Sequence, residues 1–241
     1  MNTKYIDLIH QTFDFPQKEF TLNKQQQLQF HDLDLMELIE TYGTPLKLTY
    51  LPKVSENIQL AKQWFNTAMK KHNYKGKYHY SYCTKSSHFK HILDEALLND
   101  IHLETSSAFD LNIIDSLIES GSINTKNYII CNGFKRDEYV ANIAKLINSG
   151  YKNCIPIIDN YEEIDLLTEQ TKRKFKIGIR IASEEEPKFE FYTSRLGIGY
   201  KNILSFYRNE VKNNKKVDLK MLHFFINTGI KDNAYYWNEL N

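Results

Sequence analysis

The feature that most constrains this chain is an alternation of short β-branched or aromatic runs with longer stretches of helical spacing. The runs lie at 45–51 (PLKLTYL), 78–83 (YHYSYC), 101–104 (IHLE), 127–131 (NYIIC), 153–158 (NCIPII), 176–181 (KIGIRI) and 219–225 (LKMLHFF). Between them come 54–72, 87–99, 108–120, 136–149, 160–171 and 201–213, with apolar residues near i, i+3, i+4 and i+7, as in Ile143, Leu146 and Ile147. Such a chain reads as a series of βα units feeding a parallel sheet.

A parallel sheet of this kind closes as a (β/α)8 barrel or opens as a doubly wound sheet. Two features favour the barrel. No GxGxxG follows the first run, and polar residues collect just beyond the C-terminal ends of many runs instead of one. The fold class is therefore α/β, a TIM-type barrel, and with seven runs it is expected to be incomplete at its C-terminus. Residues 1–40 read as a preamble, with 30–38 (FHDLDLMEL) as a strand-turn-helix entry, and 41–241 as the barrel domain. Asp159 is a candidate N-cap and Gly150 a candidate C-terminal stop for neighbouring helices.

Composition narrows the class. Lys+Arg number 31 against 30 Asp+Glu, so neither charge sign points to nucleic acid or a membrane surface. No apolar stretch reaches bilayer length, and MNTKYIDLIH has no signal-peptide pattern. Three scattered cysteines, Cys83, Cys131 and Cys154, fit a reducing cytoplasm and no thiolate zinc site. His88 and His91 sit in a polar stretch and read as solvated surface, so no metal is expected.

Chemistry concentrates after the runs. Lys85 follows directly on YHYSYC, where burial of a lysine lowers its pKa toward the free amine that Schiff-base chemistry needs. Glu104 and Asp110 flank a small-residue turn in which Ser107 can cap a helix. Arg180 lies inside an apolar run and needs a partner or a functional reason. His223 and Phe225 share one strand face, and Asn227, Thr228 and Gly229 form a polar end suited to an anion. Each has an ordinary alternative: a surface lysine, a cap, a structural ion pair.

The order of these signals is more specific than any one of them. YGTPLKLTYL, YCTKSSHF, LETSSAFDLNII, ICNGFKRDEY, IPIIDNYEEIDLL, IRIASEEEP, FYTSRLGIGY and LKMLHFFINTGI succeed one another collinearly. The set resembles the fold-type III pyridoxal-phosphate-dependent decarboxylases of basic amino acids, especially the arginine decarboxylases, in their N-terminal portion. The resemblance implies an alanine racemase-like barrel and pyridoxal 5'-phosphate as cofactor, bound through a Lys85 Schiff base. Glu104, Asp110 and Arg180 match positions around the cofactor, and Thr228 matches a phosphate-holding hydroxyl. Ser194 and Gly197 match a structural SxxG turn. The implied reaction is arginine to agmatine plus CO2 in polyamine biosynthesis, in a cytoplasmic homodimer with a small amino acid as substrate.

Two departures stand out. Phe225 occupies the place of the family's stacking histidine, and Asn227 that of a glycine. Family members also carry, beyond this point, a glycine-rich phosphate loop and a β-domain, so the 241-residue chain alone is expected to be inactive. Other readings are a single-barrel pyridoxal-phosphate carrier or a decarboxylase-like regulator without catalysis.

Overall fold

The computed structural model describes residues 19–182 and 196–225. The chain divides into two compact units, Met1–Tyr50 and Leu51–Asn241. In the first, β1 (Phe20–Leu22), β2 (Leu28–Phe30) and β3 (Leu33–Asp34) form an antiparallel sheet leading into helix α1 (Leu35–Tyr42). The Asp34 carboxylate caps α1, accepting from the amides of Met36 and Glu37 at 2.9 and 3.2 Å. The strand-turn-helix entry expected at 30–38 is thus present. The run at 45–51 differs: it forms no strand. Among the described residues no strand pairs with it, and Leu46 and Leu48 stay 37% and 42% exposed. Apolar alternation without a neighbouring ladder leaves a strand nowhere to place its hydrogen bonds.

In the second unit the other six runs all become strands. They are β4 (Ser81–Cys83), β5 (His102–Thr105), β6 (Ile129–Cys131), β7 (Cys154–Ile158), β8 (Phe175–Ala182) and β10 (Val217–Phe224). A short β9 (Ile198–Gly199) pairs with the end of β8. All pair in parallel in the order β4-β5-β6-β7-β8-β10. That order never reverses, as it must in a doubly wound sheet, so the barrel reading holds.

Helices α2 (Pro52–Lys71), α3 (Lys90–Leu97), α4 (Ala108–Glu119), α5 (Asp137–Asn148) and α6 (Glu163–Gln170) supply the crossovers. The expected helix at 201–213 is broken into a 3-10 turn, the four-residue α7 (Ile203–Phe206) and a π turn. Gly150, at φ 101°, ends α5 with its amide on the Ile147 carbonyl at 3.0 Å, as the sequence implied.

Strand alternation sorts the side chains onto two faces. Leu103, Ile129, Cys131, Cys154, Ile158, Ile177 and Ile179 point outward into the main core, against Leu111, Ile114, Tyr139, Val140, Ile143, Ile164 and Leu167 of the helices. The alternate residues Ile130, Ile155 and Ile157 form a separate inner cluster with Tyr128 and Met221. Continuing that inner parity to the C-terminal end brings up Lys85, Glu104, Asn132, Asp159, Arg180, His223 and Phe225 in turn. No helix among the described residues is long and apolar enough to cross a membrane.

Candidate functional site at the C-terminal mouth of the sheet

Lys85 sits on a pinned turn. The Thr84 amide and hydroxyl donate to the Glu104 carbonyl at 2.9 and 3.1 Å, and Ser86 donates twice to the Cys83 carbonyl, from its amide at 3.1 Å and its hydroxyl at 2.7 Å. Beyond this turn Lys85 is exposed, so the burial invoked from sequence is not supplied by the described residues. Cys83 beneath it is half-buried; burial and the nearby Glu104 push its thiol up, against the backbone amides of Lys85 and Ser86 and the Lys85 charge. Glu104 faces inward and accepts from the Asn132 side-chain amide at 3.0 Å.

Asp110 is placed differently from these. It is buried, and its carboxylate accepts from the Ser106 amide and hydroxyl at 2.7 and 3.3 Å, while its own amide donates to the Ser107 hydroxyl at 3.3 Å. Ser107 therefore caps α4 as expected, and Asp110 closes the same turn. Thr228, Asn227 and Ser194 lie outside the described residues. Gly197 is described: its φ is 113°, and a Cβ there would meet the Arg180 carbonyl and the Ala182 amide at 2.9 Å. Only glycine permits that approach. His88 and His91 are exposed.

A group of buried charges that the sequence did not single out backs the mouth. Lys135, on the loop after β6, is 2% exposed. Its ammonium donates to the Gly133 carbonyl at 2.9 Å, to the Ile157 carbonyl, and to Glu163 Oε2 at 3.2 Å. Glu163 answers with both oxygens. Oε1 accepts from the Lys135 amide at 3.1 Å and from Asn160 at 3.2 Å; Oε2 also accepts from the Asp159 amide at 2.8 Å. This clamp corrects the cap assignment. Asn160, not Asp159, accepts from the amides of Glu162 and Glu163, at 3.1 and 3.2 Å. The Asp159 amide is already held by Glu163, which turns its carboxylate away from the helix.

The Asp159 carboxylate lies 3.9 Å from the Arg180 guanidinium, whose Cζ is 5.8 Å from the centre of the Phe225 ring. Arg180 is thus a partnered charge with its side chain 12% exposed. His223 pairs in register with Arg180 across β8 and β10. Burial, then Arg180 and Lys135, lower its pKa to about 4, so it is neutral at pH 7. Burial raises Asp159 and Glu163, opposed at Asp159 by Lys135 and Arg180 and at Glu163 by Lys135 and the amides it binds. A Lys-Glu pair separated by 28 positions leaves no local motif; the only sequence signal was a polar residue just past each of two strands.

Five buried side-chain atoms among the described residues have no hydrogen-bond partner, and four of them are here: Asn132 Oδ1, both oxygens of Asp159, and His223 Nδ1. The orphaned Asn132 and Asp159 oxygens can only accept, but the primary amine of Lys85, the Arg180 guanidinium and the exposed phenyl face of Phe225 at the same end fit an anionic, aromatic ligand such as pyridoxal phosphate.

No protein-family model matches the chain. A biosynthetic arginine decarboxylase 2 from Synechocystis is 26% identical over 226 residues, which cover 84% of this chain and 34% of that protein. The chain therefore spans about a third of the length of the curated relatives it matches. Among solved structures, a diaminopimelate decarboxylase from M. jannaschii superposes with TM-score 0.71 at 16% identity, covering 91% of this chain and 50% of that one. The biosynthetic arginine decarboxylase of Campylobacter jejuni gives 0.62 at 20% identity, covering 86% and 36%. Together with the parallel barrel sheet, these likenesses show an α/β barrel fold of the kind found in these decarboxylases, in a chain similar in sequence to the N-terminal third of biosynthetic arginine decarboxylases.

Proposed function

We propose that this chain is the N-terminal barrel part of a pyridoxal-phosphate-dependent carboxy-lyase that converts arginine to agmatine and CO2. The observation that carries this reading is the inner-face series at the mouth: Lys85, Glu104, Arg180 and Phe225 stand at the C-terminal ends of β4, β5, β8 and β10 of one parallel sheet. Barrel enzymes do their chemistry at that end. Arginine is taken as the substrate because the sequence relatives are named biosynthetic arginine decarboxylases.

In this reading Lys85 holds the cofactor covalently. Glu104, oriented by Asn132, and Arg180 line it, and the exposed ring of Phe225 offers an apolar face for stacking. Asp110 and Thr228 complete the set, Asp110 through the turn it closes beside Glu104 and Thr228 through a hydroxyl for the phosphate. When bound, the cofactor supplies the electron sink that makes loss of CO2 possible. Arg180 contributes a fixed positive charge toward its acidic oxygens, and the Lys85 amine is the group placed to carry a proton. Phe225 cannot hydrogen-bond, so stacking here works through shape and apolar contact alone.

The test has two steps. Added pyridoxal phosphate is expected to give the protein-bound visible absorbance band, and Lys85→Ala to abolish it. Labelled arginine is then expected to release CO2 when the barrel is produced together with the remaining length found in its relatives. A band that survives Lys85→Ala, or CO2 release from another basic amino acid in place of arginine, overturns the corresponding half of the reading.

A further inference from the structure

The Lys135–Glu163 clamp has more bonds than a structural ion pair needs. All three ammonium donors of Lys135 are used, two of them on backbone carbonyls at different strand ends. Glu163 fixes the Asp159 amide, and the Gly197 amide fixes the Asp159 carbonyl at 3.1 Å. The backbone of Asp159 is therefore held on both sides while its carboxylate makes no hydrogen bond. Of the buried carboxylates among the described residues, those of Asp110 and Glu163 accept hydrogen bonds, whereas that of Asp159 accepts none and has the Arg180 guanidinium at 3.9 Å. Leaving a buried carboxylate short of donors costs stability, and a fold with nothing to gain from it replaces the charge.

We propose that Asp159, held by the Lys135–Glu163 clamp, is a positioning residue that aims the Arg180 guanidinium at an anionic oxygen of the ligand in the mouth. Gly197 belongs to the same device, since its missing Cβ lets the loop lie against Arg180 and reach Asp159. The Phe225 ring lies over the same guanidinium, 5.8 Å from its Cζ to the ring centre. A guanidinium held near a carboxylate and a ring loses less further freedom when an anion arrives, and the anion gains a charge-assisted contact. The inference rests on the reading of the mouth as a pyridoxal-phosphate site.

The experiment titrates the full chain with pyridoxal phosphate by visible absorbance and follows thermal unfolding without ligand. Asp159→Asn is expected to weaken cofactor affinity about tenfold while leaving the melting temperature unchanged or higher. Arg180→Gln is expected to weaken it similarly, and the double variant no more than about twofold beyond the weaker single variant, because both act through one contact. Losses that multiply in the double variant overturn the positioning role. So does an Asp159→Asn protein that melts lower yet binds the cofactor as the wild type does, the signature of a purely structural residue. If the wild type shows no cofactor band, or one that survives Lys85→Ala, the reading of the mouth falls and takes this inference with it. A Lys85-dependent band that is indifferent to Asp159→Asn sinks the inference alone.

Discussion

The two ends of the parallel sheet treat their polar groups in opposite ways. At the N-terminal end, the Tyr151 hydroxyl lies 2.6 and 3.0 Å from the carbonyls of Asn124 and Asn127, its one proton shared between them. Asn127 reaches the Ile101 carbonyl at 2.9 Å, and Asn153 the Thr125 carbonyl at 2.8 Å. His102 Nδ1 accepts from the Tyr128 amide at 3.2 Å, and its Nε2 lies 2.8 Å from His79 Nδ1. At the C-terminal end, Asn132, Asp159 and His223 keep buried polar atoms without partners. A satisfied group contributes to stability and an orphaned one costs it. The difference teaches that one end is built to hold the sheet together, while the other gives up stability to keep groups available.

The largest test of this contrast is the clamp, which is the stabilising exception at the C-terminal end. Lys135→Met leaves Glu163 buried without its cation and is expected to cost about 3–5 kcal/mol in urea unfolding. Lys135→Met combined with Glu163→Leu removes both charges and is expected to recover at least half of that loss, though the amides Glu163 holds then lose their acceptor. A single variant that costs under about 1 kcal/mol would show that the clamp does not carry the mouth.

His223 gives the next effect, through pH. Its pKa falls from the ordinary 6.5 to about 4 in the folded chain. A depressed folded pKa means stability that is present above pH 6.5 and lost as pH falls toward 4. The full shift corresponds to about 3 kcal/mol, of which about 2 kcal/mol is lost between pH 7 and 5. Burial also lowers His102, which acts in the same direction. The raised carboxyls of Asp159 and Glu163 act oppositely, gaining stability as pH falls. The informative quantity is therefore the difference between wild type and His223→Gln, measured by urea unfolding at pH 7 and 5. The variant is expected to lose about 2 kcal/mol less on acidification. Equal losses in the two proteins would place the imidazole in contact with water.

What the sequence made legible follows from the range over which each signal acts. The six described βα strands, the Ser107 cap and the Gly150 stop are set by neighbours within a few residues, and the structure shows each of them. The inner-face position of Lys85, Glu104 and Arg180 is likewise a matter of strand parity. The run at 45–51 failed because alternation reports apolar character and cannot report whether a partner strand exists. Asp159 was read as a cap because helix N-termini favour Asp, but Asn160 stands one residue nearer and Glu163 claims the backbone. The clamp itself joins two loops that only the parallel packing of β6 and β7 brings together.

The smallest effect sharpens the contrast from the other side. Tyr151 is buried between α5 and β7, with burial holding its phenol well above its ordinary range. Its hydroxyl serves two carbonyls of the loop before β6, so Tyr151→Phe keeps the ring and takes the donor from the Asn127 carbonyl, while the Asn124 carbonyl keeps its bond from the Asn127 amide. The expected cost is about 1 kcal/mol, the usual worth of such a bond when solvent can partly replace it. Because this happens at the end opposite the mouth, cofactor affinity is expected to stay within about twofold of wild type, whereas Asp159→Asn changes affinity and spares stability. A Tyr151→Phe protein whose cofactor affinity falls as far as that of Asp159→Asn would mean that the two ends are coupled. The division of labour along the strands would then be wrong, since rigidity at one end would be setting the geometry of the other.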